Sequence, residues 1–275
     1  MNLKRIITTA IGLPIVILVL AYGNKYIIDA IIAIIATISM HEYIKCSSEK
    51  AKVISWINYL CTISIATIHI ISEDMLINFV IFAIPIVLLI LFLHVIVSNM
   101  KITFEDIAYS FIGICYIVGF LVFLPLTYGI IGKVSGKILI WYIMLSAWGT
   151  DIFAYLIGKN FGKHKFSPIS PNKTIEGCLA GLICAVIINL VYTYFINKFF
   201  GYEISYLAIL VISSILSIAG QIGDFSASVI KRYFGVKDFS NLFPGHGGML
   251  DRIDSIMFIA PVAYFLITNF IYGGV

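Results

Sequence analysis

The sequence predicts an all-α, polytopic integral membrane protein of about nine transmembrane helices, and three observations carry that prediction. Hydrophobic residues make up 61% of the 275-residue chain and charged residues only 12%, against roughly 45–50% and about 25% in soluble domains. The apolar residues fall in runs long enough to cross a hydrocarbon layer about 30 Å thick, which takes about 20 helical residues. These isoleucine-rich runs lack the period-2 alternation of a lipid-facing β-barrel. The same balance excludes a soluble globule and a disordered chain. Five isolated cysteines (Cys46, Cys61, Cys115, Cys178 and Cys184) are too few for a disulfide scaffold and read as small buried hydrophobes.

Taken in order, the runs lie at 6–23, 26–44, 53–72, 75–98, 107–130, 138–158, 174–196, 204–230 and 253–273. The first follows Lys4 and Arg5, yet no small-x-small cleavage site appears near residue 20, so it reads as a retained span. The second ends at Lys45, and Glu73 and Asp74 separate the third from the fourth. Lys101 precedes the fifth, and Gly132 and Lys133 close it. Lys159 ends the sixth, Lys173 precedes the seventh, Lys198 follows it, Lys231 ends the eighth and Arg252 opens the ninth. Nine crossings place Lys25, Lys133, Lys137 and Lys198 on one side and the remaining 14 of the 18 Lys and Arg on the other. By the positive-inside rule the richer side is cytoplasmic, with the N-terminus inside and the C-terminus outside. The net charge of +4 is modest and points to no nucleic-acid partner. The chain reads as one integral domain, an N-terminal helical half (1–137) followed by a catalytic half (138–275) with loops at 159–173 and 231–252.

Ionisable residues at the membrane edge are costly and therefore candidates for function, and here they gather in the second half. Asp29, His41 and Glu42 lie near span ends, where solvation explains them, and His69 and His94 read as structural histidines. Gln221, Asp224, Ser228 and Lys231 stand at offsets 0, 3, 7 and 10, on one helix face. Such a stripe faces a hydrated cavity or the helix bundle rather than lipid. The ninth span opens with Asp251, Arg252 and Asp254, its two aspartates sharing one side of the first turn. With Asp224 they form the oxygen-rich set that hard cations such as Mg²⁺ prefer, helix capping being the alternative for one of them. Pro244, Gly245, His246, Gly247 and Gly248 let backbone amides approach a ligand at a helix N-terminus. Lys231, Arg232, Lys237, His246 and Arg252 surround them. Carboxylates, glycines and cations together describe a polyphosphate site. A second constellation runs through Asp151, Gly158, Phe161, Gly162, Lys163, His164 and Lys165, then from Ser170 through Lys173 to Glu176. Lys173 reads as functional, whereas Lys163 and Lys165 are equally explained as positive-inside charges.

The run from Ser228 to Asp254, SVIKRYFGVKDFSNLFPGHGGMLDRID, resembles the signature of the phosphatidate cytidylyltransferases, the CDP-diacylglycerol synthases. The fixed positions filled are Ser228, Lys231, Arg232, Lys237, Asp238, Ser240, Phe243, Pro244, His246, Gly247, Gly248, Asp251, Arg252 and Asp254. Asp151, Phe161-Gly162-Lys163 and Ser170-Pro171-Asn172-Lys173-Thr174 look like further family elements. The resemblance implies condensation of CTP with phosphatidic acid to CDP-diacylglycerol and pyrophosphate, a Mg²⁺ requirement with K⁺ as a second cation, a cytoplasm-facing site and a homodimer. It implies catalytic roles for Asp224, Lys231, Asp251, Arg252 and Asp254, with the three aspartates as metal ligands. Substrate binding then falls to Ser228, Arg232, Lys237, Asp238, His246, Gly247, Gly248, Lys173 and Asp151, His246 acting as a phosphate ligand rather than a base. Two other CTP-linked membrane enzymes, a lipid-alcohol kinase and a CDP-alcohol phosphotransferase, are alternatives, although the latter's Asp-Gly-x-x-Ala-Arg opening is absent. A transporter would instead scatter polar residues through the membrane midplane.

Overall fold

The computed structural model describes residues 3–71, 73–99, 101–167, 169–245 and 247–272. In chain order the helices are α1 (Leu3–Tyr22), α2 (Lys25–Ser47), α3 (Ser55–Ser64), α4 (Glu73–Val97), α5 (Phe104–Gly113), α6 (Gly119–Leu121), α7 (Phe123–Tyr128), α8 (Gly136–Phe161), α9 (Ile175–Phe200), α10 (Tyr206–Tyr233) and α11 (Leu250–Ile267). A hairpin of two short antiparallel strands, β1 (Lys165–Ser167) and β2 (Ser170–Thr174), joins α8 to α9. A π-helical turn, Ile114–Val118, lies between α5 and α6.

Among the described residues, 6 helices are long and apolar enough to cross a membrane, rather than the nine expected: Lys25–Ser47, Phe104–Tyr128, Gly136–Phe161, Ile175–Phe200, Tyr206–Tyr233 and Leu250–Ile271. The run 53–72 departs most from expectation. It yields only the 10 residues of α3 and a 3₁₀ turn, Ile65–Thr67, and ten helical residues rise about 15 Å, half the hydrocarbon thickness. Hydroxyls cluster at the break. Thr62 Oγ1, Ser64 Oγ and Thr67 Oγ1 donate to the carbonyls three residues back, each at 2.8 Å, in competition with the helical ladder. The runs at 6–23 and 75–98 are helical as α1 and α4, 20 and 25 residues long, with described apolar stretches at Gly12–Tyr22 and Phe82–Val97.

The chain groups into two compact units, one of Met1–Pro125 with Tyr233–Arg252 and one of Leu126–Arg232 with Ile253–Val275. The first is built on α2, which buries Ile28, Ala33, Ala36, Met40 and Tyr43. Asp29, also buried there, accepts the backbone N–H of His69 at 3.1 Å and pairs with the His69 ring at 2.7 Å. The Tyr43 hydroxyl donates to the Tyr109 carbonyl at 3.0 Å. Asp106 closes a capping box with Thr103 at the start of α5 and accepts the Lys52 N–H at 2.6 Å. The segment from Tyr233 is anchored in the same unit. Lys50 Nζ donates to the Tyr233 carbonyl at 2.6 Å and lies 3.6 Å from the centre of its ring, while the Tyr109 and Tyr233 hydroxyls meet at 2.6 Å.

In the second unit α8 and α9 run antiparallel in close contact. A Cβ on Gly177 would lie 2.6 Å from the Ala154 carbonyl oxygen, and one on Gly181 would lie 2.6 Å from that of Thr150. Small residues at this four-residue spacing are what let two membrane helices approach backbone to backbone. Buried polar pairs lock the register: Tyr142 with Thr193 at 2.9 Å, Asn189 donating to Ser146 at 2.8 Å, and Thr150 with Ser217 of α10 at 2.7 Å. The opposite stripe of α9, Leu179, Ile183, Ile187, Val191 and Phe195, is exposed. An apolar stripe of this length on a helix this apolar faces lipid, and the chain is an integral membrane protein.

Candidate active site

The second unit gathers charge around the C-terminal half of α10. Asp224 projects toward the start of α9, where strand β2 delivers Lys173, and the two form an ion pair. Lys173 Nζ also lies 4.4 Å from the centre of the Phe225 ring, which stacks on Phe166 of β1 at 4.7 Å. The hairpin thus holds an ammonium group against a carboxylate and an aromatic face, a geometry that restrains a long side chain. One turn earlier on α10, Gln221 Nε2 donates to the Cys178 carbonyl at 3.1 Å. Asp254 of α11 is buried at 8% exposure. It lies within electrostatic reach of Asp224, Asp151 and Lys231. Its Oδ1 accepts the N–H of Ser255 at 2.8 Å, and the Ser255 hydroxyl stands 3.5 Å from Asp151 Oδ1. The close approach that admits this cluster is set at Gly223, where a Cβ would lie 2.5 Å from the Asp254 carbonyl oxygen.

The first unit holds the other half of the predicted set. Asp251, also buried, accepts two backbone amides on Oδ2, Phe239 N–H at 2.9 Å and Gly248 N–H at 3.0 Å. The loop turns back on itself where Phe243 N–H donates to the Gly247 carbonyl at 2.9 Å, with Gly245 at φ 81° and Gly247 at φ 79°. Those positive angles are open to glycine at little cost. Beside Ser240, Asn241 and Leu242 lies a cleft of about 730 Å³ bordered also by His41, Lys45 and Tyr59.

Of the residues singled out from sequence, Asp151, Lys173, Asp224, Lys231 and Asp254 are therefore brought into one electrostatic neighbourhood. Ser228 is half-buried on α10, and Arg232, Lys237, Asp238 and Arg252 are exposed, as are Lys163 and Lys165. The Asp251 carboxylate and Gly248 are tied to each other, the Gly248 N–H donating to Asp251 Oδ2. His246 lies outside the described residues. Among the described residues no three His, Cys, Asp or Glu side chains converge closely enough to hold an ion by themselves. The residue that sequence reasoning passed over is Glu42, set aside as a solvated span end. It is 3% exposed and accepts from the Ser240 hydroxyl at 2.6 Å and from Met249 and Leu250 N–H at 2.8 Å each. Its sequence signal was a carboxylate within an apolar helix, and its partners lie some two hundred positions away.

These features define a helical membrane protein whose conspicuous polar chemistry is a group of carboxylates countered by lysines. The chain matches the cytidylyltransferase family over residues 3–270 and belongs to it. It is 40% identical over 180 residues to the phosphatidate cytidylyltransferase of Staphylococcus haemolyticus (strain JCSC1435), covering 65% of each chain. It is 40% identical over 176 residues to that of Staphylococcus aureus (strain COL), covering 63% of this chain and 64% of the relative. With the enzyme of the same name from Staphylococcus saprophyticus the identity is 41% over 180 residues, 65% of each chain. The matched stretch thus spans just under two thirds of these relatives' own length.

Proposed function

We propose that this protein condenses CTP with phosphatidic acid, releasing pyrophosphate and leaving CDP-diacylglycerol in the membrane. The observation that carries this reading is the grouping of Asp254, Asp224 and Asp151 with Lys173 and Lys231, in a chain whose relatives are named for this reaction. A phosphate oxygen of phosphatidic acid attacks the α-phosphorus of CTP, a new P–O bond forms, and the bond to the β-phosphate breaks with its electrons leaving on pyrophosphate. A phosphate monoester has a second pKa near about 6, so the nucleophile is already ionised and needs no strong base. The protein's work is positioning and charge neutralisation. Lys173, restrained by Asp224 and Phe225, and Lys231 present ammonium groups to phosphate oxygens. Ser228, one turn before Lys231 on α10, presents a hydroxyl. Arg232, Lys237, Asp238, His246, Gly247, Gly248 and Arg252 complete substrate binding, the role the signature implies for them.

The donor set suits Mg²⁺, which takes hard oxygen ligands and is commonly held by one or two carboxylates together with substrate phosphates. A buried Asp254 beside two further carboxylates is a place where a cation relieves like-charge repulsion. Asp254 and Asp224 would hold the ion, and Asp251 is the third carboxylate of the expected set. When bound, Mg²⁺ neutralises charge on the triphosphate, and K⁺ is the second cation proposed. The site faces the cytoplasm: one end of the α8–α9–α10 bundle carries Lys159, Lys163, Lys165, Lys173, Lys231 and Arg232, and the other Lys137 and Lys198. A homodimer rests on the family resemblance alone. The test is turnover of CTP and phosphatidic acid by purified protein in detergent micelles, with Mg²⁺ and with chelator. Metal-dependent pyrophosphate in step with lipid product supports the reading, whereas release of CDP or CMP would point to a kinase or a phosphotransferase.

A further inference from the structure

We infer that Glu42 is a positioning residue for the reaction proposed above, acting on the signature loop rather than on substrate. A carboxylate buried within a membrane helix is destabilising unless its lone pairs are satisfied. Glu42 is satisfied entirely by the segment that leads into α11. The Ser240 hydroxyl and Met249 N–H donate to Oε1, and Leu250 N–H donates to Oε2. Met249 and Leu250 are the residues at which the helix starts. Helix starts leave amides without intrahelical partners, and Glu42 does here, from α2, what an N-cap side chain does from within a chain. The fit is close: a Cβ on Gly248 would lie 2.6 Å from each carboxylate oxygen. Asp251 takes the two neighbouring amides, Phe239 and Gly248. Two buried carboxylates thus divide the backbone of residues 239–250 between them, one belonging to the loop's own helix and one to α2. The hold on this segment fixes where the first turn of α11 begins, and with it Asp251 and Arg252.

Glutamine is the informative replacement. It keeps the volume of Glu42 but offers one acceptor oxygen and turns an NH₂ donor toward an N–H or O–H that also donates, so at least one of the three bonds is lost. In the full-length protein, Glu42→Gln is expected to speed hydrogen–deuterium exchange in peptides covering 239–250 and to lower kcat at least tenfold. The KM for phosphatidic acid should stay within about threefold, and Glu42→Asp should recover part of the loss. Unchanged exchange in 239–250 overturns the inference whatever the activity, and so does faster exchange with kcat within twofold of wild type. If Glu42→Gln does not fold, Ser240→Ala removes only the side-chain bond. A kcat loss of threefold or more then supports the inference, and wild-type kcat with wild-type exchange overturns it. Wild-type protein inactive on CTP and phosphatidic acid would defeat the functional reading separately, the exchange experiment still deciding whether Glu42 holds the loop.

Discussion

Asp254 is the residue on which stability and activity pull hardest against each other. It is buried near two other carboxylates, with Lys231 as the opposing charge, so ionising it in the free protein adds repulsion that substrate-borne cations would relieve. Asp254→Asn cannot ionise and keeps the shape. The expected result is a melting temperature equal to or above wild type, with turnover reduced at least a hundredfold; a lowered melting temperature with turnover retained would contradict the role. Lys173 behaves differently, because it is held from two sides, by the Asp224 carboxylate and the Phe225 face. Lys173→Met keeps the apolar stem over the ring and loses the charge. Its expected signature in steady-state kinetics is a KM for CTP raised about tenfold.

At the scale of elements, the site depends on how closely α8 and α9 approach. Asp151 and Lys173 flank the seam at which Gly177 and Gly181 meet the Ala154 and Thr150 carbonyls. Gly181→Val drives a branched side chain into a backbone oxygen, and overpacking of this kind costs about 1–3 kcal/mol. Thermal unfolding in detergent should register it as a lowered melting temperature, whereas the same substitution at Gly12, where an added Cβ meets nothing within 4 Å, should leave unfolding unchanged. The α10 stripe was legible in the sequence because Gln221, Asp224, Ser228 and Lys231 obey the helical period by themselves. Helix α3 was not: a composition apolar enough to span reads as a span, although the helix stops where the hydroxyls of Thr62, Ser64 and Thr67 fold back on the carbonyls three residues earlier. The role of Glu42 was not legible for another reason. Its meaning depends on Ser240, Met249 and Leu250, and nothing local in α2 announces a partner so distant.

The whole molecule brings these pieces to a membrane, and the sense of insertion decides which compartment would supply CTP in the proposed reaction. The orientation proposed from the uneven charge between the two ends of the α8–α9–α10 bundle has Lys163 in the cytoplasm and Lys198 on the opposite face. In a variant with Ser at its five native cysteine positions, Lys163→Cys should react with a membrane-impermeant thiol reagent only in inside-out vesicles, and Lys198→Cys only in right-side-out ones. The reverse pattern would invert the orientation. Class and family were legible in the sequence from its apolar runs and from the polar signature between Ser228 and Asp254. Of the nine expected crossings, 6 correspond to helices long and apolar enough among the described residues, and the run that became α3 departs most. The central claim is that a cytidylyl group moves onto a lipid phosphate, and the most direct measurement follows the label of CTP into extracted lipid. Label at the α-phosphorus should appear in CDP-diacylglycerol while label at the γ-phosphorus stays in water-soluble pyrophosphate; γ-label in the lipid, or no label in it at all, would contradict the account.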